Sequence, residues 1–211
     1  ALMADTVGRP CFATMLAVAA LVALEPCGVG AYGPSFSPWT MQVGALQTGT
    51  EHSCGLLDVG KLKCWGKATH GRLGYGDLLD VGDGFGDMGS NLPFVDLGDG
   101  LTVAQHATGN NHNCALFTSG EVKCWGDGGN GRLGYGDSQN RGDGPDEMGD
   151  NLPFVDLGDG LTVTQLSLGF HFSCALFVDG RVKCWGYGAD GRLGYGDFWN
   201  RGDQPDEMGD N

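Results

Sequence analysis

The stretch HSCGLLDVGKLKCWG, residues 52–66, decides the fold of this chain. Close variants recur at 112–126 and 172–186, so the same pattern returns every 60 residues. Each copy places short apolar runs on either side of a glycine-containing turn, which is typical of a β-hairpin. The chain has 40 glycines but only 8 prolines, and glycine at fixed offsets implies many tight turns. The repeat therefore predicts an all-β array.

The turn sets the register of the hairpin. A three-residue loop, Asp58-Val59-Gly60, needs its last residue in the left-handed region, which glycine adopts without steric cost. With that loop, alternation along the strands makes Cys54 and Cys64 a non-hydrogen-bonded pair, whose Cα atoms lie about 4.5 Å apart. A disulfide tolerates this separation. The pattern predicts turn glycines at Gly60, Gly120 and Gly180, and disulfides Cys54–Cys64, Cys114–Cys124 and Cys174–Cys184.

Two other interpretations of the cysteines are weaker. Buried free thiols in a cytosolic protein would also account for the spacing. A zinc site would need the short Cys-x₂₋₄-Cys spacing, which a ten-residue separation lacks. His52 and His112 stand two residues before a cysteine, but Phe172 takes that place in the third unit and the histidine moves to His171. Packing explains the histidines better, and no metal or other cofactor is expected.

An indole follows each hairpin. Trp-Gly precedes the motif GRLGYGD, which stands at 71–77 in the first unit. Tryptophan is too large to leave exposed, and the glycines let neighbouring backbones approach closely. We therefore expect Trp65, Trp125 and Trp185 to fill the space between adjacent sheets.

The frame resembles a known repeat family. In the first unit the frame reads Gly49…His52…Leu56…Gly60…Cys64-Trp65-Gly66…Gly71-Arg72-Leu73-Gly74-Tyr75-Gly76. Copies of it surround Trp125 and Trp185, and a Pro-x-Val-x-Leu segment stands at 93–97 and 153–157. This is similar to the regulator-of-chromosome-condensation repeat, in its exported, cysteine-bearing branch. The resemblance implies β-propeller blades, about one four-stranded blade per repeat. Three repeats are too few for the family's seven-bladed ring, so the expected fold is an incomplete ring of three blades.

The chain divides into two parts. Residues 1–31 contain an apolar run at 12–24, which predicts a hydrophobic helix that serves as an export signal or a membrane anchor. Cys11 and Cys27 flank this run and are expected to be free or to pair elsewhere. Residues 32–211 form three propeller repeats, at about 32–90, 91–150 and 151–211. Disulfides and an export signal indicate an extracytoplasmic space or an organelle lumen, with the thylakoid lumen or a mitochondrial location as candidates.

The charge limits the partners. The chain carries 12 basic and 26 acidic side chains, a net charge of −14, and so lacks the basic surface that nucleic-acid binding requires. This also argues against the family's founding role, nucleotide exchange on a GTPase at chromatin. The acidic loops, with Asp137, Asp143, Asp146, Glu147 and Asp150 and their copies in the third unit, predict a solvated surface, with calcium binding as the alternative.

The function expected from these observations is non-catalytic. The carboxylates repeat with the units, whereas a catalytic pair would be singular and set in a pocket. We expect a protein-interaction module, an accessory or assembly subunit of a larger membrane-associated complex whose partners are other protein subunits. The membrane contact would be made through residues 12–24. A secreted propeller that binds or inhibits another protein is the alternative.

Overall fold

The computed structural model describes residues 43–210, with the backbone alone for Val43. They belong to one compact unit, Trp39–Asn211. The predicted hydrophobic helix at 12–24, the boundary after residue 31, and Cys11 and Cys27 all lie outside the described residues.

Three antiparallel sheets of three strands each follow one another along the chain, and in every sheet the strand order is the sequence order. We call them the first, second and third blades. The strands are β1 Val43–Thr48, β2 His52–Leu57 and β3 Leu62–Gly66; β4 Val103–Thr108, β5 His112–Phe117 and β6 Val122–Gly126; and β7 Val163–Leu168, β8 Phe172–Phe177 and β9 Val182–Gly186. The expected all-β architecture is confirmed.

The hairpin register follows the loop geometry. Leu56 faces Leu62, and Cys54 faces Cys64. The Gly60 N–H donates to the Leu57 carbonyl at 2.8 Å, and the φ of Gly60 is +71°, in the left-handed region that a glycine adopts freely. Gly120 and Gly180 have φ values of +90° and +86° in the equivalent loops.

The sheets are one strand narrower than the resemblance implies. In place of a fourth strand, an extended segment of the following unit lies along the outer edge of the first two blades. The Val95 N–H donates to the Leu62 carbonyl at 2.9 Å, and the Val155 N–H donates to the Val122 carbonyl at 2.8 Å. Each segment makes this one backbone bond to the sheet, and proline two residues earlier has no N–H to add another.

Helical structure among residues 43–210 is restricted to four 3₁₀ turns: Thr69–Gly71, Gly129–Gly131, Gly149–Asn151 and Ala189–Gly191. Over this part of the chain, no helix combines the length and the apolar character needed to cross a bilayer.

Apolar residues of adjacent blades share the core. One cluster combines Cys54, Leu62 and Leu73 of the first blade with Phe117 and Trp125 of the second. A second cluster repeats this arrangement between the second and third blades. Each blade is therefore stabilised by burial against its neighbour, which is typical of repeat proteins.

Candidate protein-interaction surface

The cysteines of each hairpin lie directly opposite each other. The structure joins Cys54 to Cys64, Cys114 to Cys124 and Cys174 to Cys184, each with a Cα–Cα distance of 4.1 Å. In the first blade, the Cys64 N–H donates to the Tyr75 hydroxyl at 3.0 Å, and that hydroxyl donates to the Cys64 carbonyl at 2.8 Å. Burial raises the pKa of Tyr75 to about 12, so the phenol stays protonated and able to donate.

The tryptophans of the second and third blades lie between sheets. Trp125 and Trp185 are fully buried, and each indole packs against a glycine of the preceding blade. A Cβ at Gly74 would lie 2.8 Å from Trp125 Nε1, and one at Gly134 would lie 2.9 Å from Trp185 Nε1. Trp65 is half-buried. Close packing of glycine against indole therefore defines the contact between blades.

The histidines connect neighbouring blades. His52 Nε2 lies 3.0 Å from Asn113 Oδ1, and the Asn113 side-chain amide donates to the Arg72 carbonyl at 2.8 Å. His112 Nε2 lies 3.0 Å from the Ser173 hydroxyl in the same way. Burial lowers the pKa of His52 to about 4 and that of His112 to about 3, so both rings are neutral at pH 7. Among the described residues, no group of three or more His, Cys, Asp or Glu side chains could hold a metal ion.

The acidic loops are organised by their own carboxylates. A single oxygen of Glu147 accepts hydrogen bonds from the N–H groups of Gly142, Asp143 and Gly144 at 2.9–3.0 Å. Asp137 pairs with Arg141 at 2.8 Å. Glu147 and Asp137 therefore hold the backbone and side chains of the loop, while Asp146 and Asp150 are exposed to solvent. The third unit repeats this arrangement with Glu207 and with the Asp197–Arg201 pair.

The third blade carries an aromatic group that the second blade lacks. The rings of Phe170 and His171 meet edge to face, with centroids 4.4 Å apart, and His171 lies 6.2 Å from the ring of Tyr187. Arg192 stacks on the ring of Tyr187, with its guanidinium carbon 4.7 Å from the ring centroid. The guanidinium also pairs with Asp190 at 2.6 Å, which fixes its position.

Two further aromatic residues lie in the loop whose backbone contacts Gly188. The rings of Phe198 and Trp199 are 5.0 Å apart. The Trp199 carbonyl lies directly against Gly188, the residue after Tyr187, where a Cβ would be 1.8 Å from the oxygen. Phe170, Phe198 and Trp199 are 58%, 66% and 64% exposed. We call Phe170, His171, Tyr187, Arg192, Phe198 and Trp199 the aromatic patch.

Sequence reasoning missed the aromatic patch, although a signal for it was present. The second and third units agree at most positions, yet Asn110, Asp127, Ser138 and Gln139 become Phe170, Tyr187, Phe198 and Trp199. Phe170, Phe198 and Trp199 are exposed, so packing within the blade does not explain these three replacements.

The repeat has a known sequence pattern. The Regulator of chromosome condensation (RCC1) repeat matches residues 103–132 and 163–192. The chain contains RCC1 repeats. Its RCC1 repeats are similar to those of the Arabidopsis thaliana ultraviolet-B receptor UVR8, at 29% identity over 76% of the chain and 33% of the receptor. Similarity to the mitochondrial RCC1 domain-containing protein RUG3 of Arabidopsis thaliana is 30% over 77% of the chain and 34% of that protein.

The chain thus spans about a third of the length of these two relatives. The human E3 ubiquitin-protein ligase HERC2 is 32% identical over 72% of the chain, but only 3% of the ligase is covered. Among solved structures, Prp20p from Saccharomyces cerevisiae has a TM-score of 0.56, with 22% identity over 77% of this chain and 37% of that chain. This likeness supports the RCC1 propeller-like fold, and the predicted family is confirmed.

Proposed function

We propose that this chain is a non-catalytic protein-binding module that serves as an accessory or assembly subunit of a larger, membrane-associated complex. The aromatic patch is the observation that supports this proposal. Aromatic residues and arginine are enriched at the centre of protein interfaces, and tryptophan, tyrosine and arginine contribute most of the binding energy there. Phe198 and Trp199 offer large apolar surfaces, while the stacked Arg192 offers a cation already held in place.

The proposed partner is a protein subunit that is neutral or basic. The net charge of −14 disfavours nucleic acid, because phosphate backbones need a basic surface. A basic partner would instead be attracted by the acidic loops while the patch supplies the apolar contact.

The proposed location is an oxidising lumen. Three disulfides are typical of exported proteins. The likeness to RUG3, which is described as mitochondrial, supports a mitochondrial compartment, and the thylakoid lumen is the other candidate. Residues 12–24 would hold the module at the membrane, and residues 32–211 would form the lumenal part.

Affinity purification of the full chain from its native membrane fraction tests this function. The test variant is F198A/W199A, and the matched control is Leu79→Ala, because Leu79 holds the position of Trp199 in the first blade and is also exposed. We expect defined subunits to co-purify with the wild type and with the control and to be lost from the double variant. Equal recovery of these subunits with the double variant would contradict a role for the patch. A wild-type chain that purifies as a monomer without detergent would contradict membership of a membrane complex.

The mature amino terminus separates this proposal from its alternative. Mass spectrometry of the native chain should find residues 12–24 retained if they anchor the module. A terminus at Tyr32 would instead favour a secreted protein that binds or inhibits another protein.

A further inference from the structure

Two buried imidazoles hold the junction between the first and second blades. His52 on β2 and His106 on β4 are 3% and 2% exposed. His106 Nε2 lies 3.0 Å from the Cys54 carbonyl of the first blade, and His52 Nε2 lies 3.0 Å from Asn113 Oδ1 of the second. Each blade therefore contributes one imidazole that bonds to the other blade.

The acceptors fix the tautomer of both rings. A carbonyl oxygen can only accept, so His106 Nε2 carries the proton. The Asn113 side-chain nitrogen donates to the Arg72 carbonyl, which leaves its oxygen to accept from His52 Nε2. Within the described part of the chain, Nδ1 of both rings is buried without a hydrogen-bond partner. Protonation would therefore put a charge and an unsatisfied N–H inside the junction, which costs free energy.

The junction between the second and third blades is built differently. Leu166 stands where the second blade has His106, and it is as deeply buried, with 3% exposed. The Gln105 side chain bonds the blades here: its nitrogen donates to the Leu166 carbonyl at 3.2 Å, and its oxygen accepts from the Leu166 N–H at 3.0 Å. Ala45 holds the position of Gln105 in the first blade and has no amide to offer. A side-chain amide does not titrate, so these two bonds persist in acid.

A second buried histidine is common to both junctions. His112 bonds to the Ser173 hydroxyl of the third blade, as His52 bonds to Asn113 of the second. Burial lowers the pKa of His52 to about 4 and that of His112 to about 3. Because both values lie far below the ordinary 6.5, mild acid opposes the two junctions to a similar extent through these rings.

His106 is the buried imidazole that the first junction has and the second lacks. Burial lowers its pKa, and the bond to the Cys54 carbonyl offsets only part of this effect. The charged and titratable groups that act on the other two rings are Arg72 for His52, and Arg132, Asp127, His52 and His171 for His112. Of these groups, only the Asp127 carboxylate favours a protonated ring, and it acts on His112.

We propose that the first junction is an acid-sensitive latch, formed by His52 and His106, which opens at a higher pH than the second junction. In the open junction both imidazoles reach water and take up protons, so each bound proton favours the open form. At the second junction His112 contributes in this way, while the Gln105 amide bonds do not weaken. The latch goes beyond the proposed function, because it involves neither the aromatic patch nor a partner.

Hydrogen exchange at two matched amides of the full chain tests the proposal. The Gly76 N–H donates to the Gly142 carbonyl across the first junction at 3.1 Å, and the equivalent Gly136 N–H donates to the Gly202 carbonyl across the second at 3.0 Å. Protection factors measured by NMR correct for the intrinsic effect of pH on exchange. Between pH 7 and about pH 4.5, protection of Gly76 should fall at least about fivefold more than that of Gly136.

Two variants exchange the chemistry of the junctions. His106→Leu introduces the residue that the third blade has, and it should abolish the excess loss of protection at Gly76 in acid. Leu166→His places an imidazole at the equivalent position of the second junction, and it should lower the protection of Gly136 in acid. Equal falls at Gly76 and Gly136 in the wild type would overturn the proposal. So would an unchanged excess in His106→Leu, or a folded Leu166→His whose Gly136 amide is as protected in acid as in the wild type.

Discussion

Gly134→Ala tests the contact between blades most directly. Gly134 has a φ of +80°, and a Cβ there would lie 2.8 Å from Val155 Cγ1 and 2.9 Å from Trp185 Nε1. The left-handed conformation costs a non-glycine residue roughly 1–2 kcal/mol. Forcing extra volume into a packed core costs about 1–3 kcal/mol more. We therefore expect the free energy of unfolding to fall by about 2–5 kcal/mol.

Gly194→Ala is the matched control. Gly194 occupies the same place in the same GRLGYG motif and has a φ of +82°, but no atom lies within 4 Å of its Cβ position. It should cost only the conformational part, roughly 1–2 kcal/mol. Urea unfolding monitored by tryptophan fluorescence and by circular dichroism gives both values. Equal losses in the two variants would refute the packing argument, since they would show that backbone conformation alone sets the cost.

Three further predictions concern the disulfides, the histidines and the acidic loops. Alkylation of the denatured, unreduced chain should label at most two of its 8 cysteines, counted by mass spectrometry, because six are paired; labelling of all of them would contradict the oxidising location. His52 and His112 have folded pKa values of about 4 and about 3, below the ordinary 6.5, so the unfolded chain binds more protons and stability should fall as the pH drops from 6.5 towards 3. Urea unfolding midpoints at several pH values measure this loss of stability, and His112→Gln should make stability depend less on pH. An unchanged pH dependence in that variant would show that other groups cause it. Glu147→Gln should lower stability by about 1–3 kcal/mol and speed amide exchange at residues 142–144, because one oxygen accepts three N–H bonds; unaltered exchange there would show that the loop does not depend on this carboxylate.

Some of the candidate site could have been read from sequence differences between units. Phe198 and Trp199 replace Ser138 and Gln139 in a loop that otherwise differs between the two units only in Gly144 and Gln204, which is visible without coordinates. Their exposure and the contact of their loop with Gly188 could not be read in this way. Both depend on how the loop after β9 folds back so that the Trp199 carbonyl lies against Gly188.

The sequence by itself determined the 60-residue period, the hairpin turns and the register that sets Cys54 opposite Cys64. These depend on neighbours within about ten residues, where turn conformation and strand alternation leave few choices. The tertiary structure alone decided which copies of an identical motif pack against a neighbouring blade. Gly134 and Gly194 stand in the same GRLGYG, yet one lies against the indole of Trp185 and the other faces open space. The physical reason is that contacts between blades join residues about 60 positions apart, as His52 and Asn113 do, and the local pattern carries no information about whether a neighbouring blade is there.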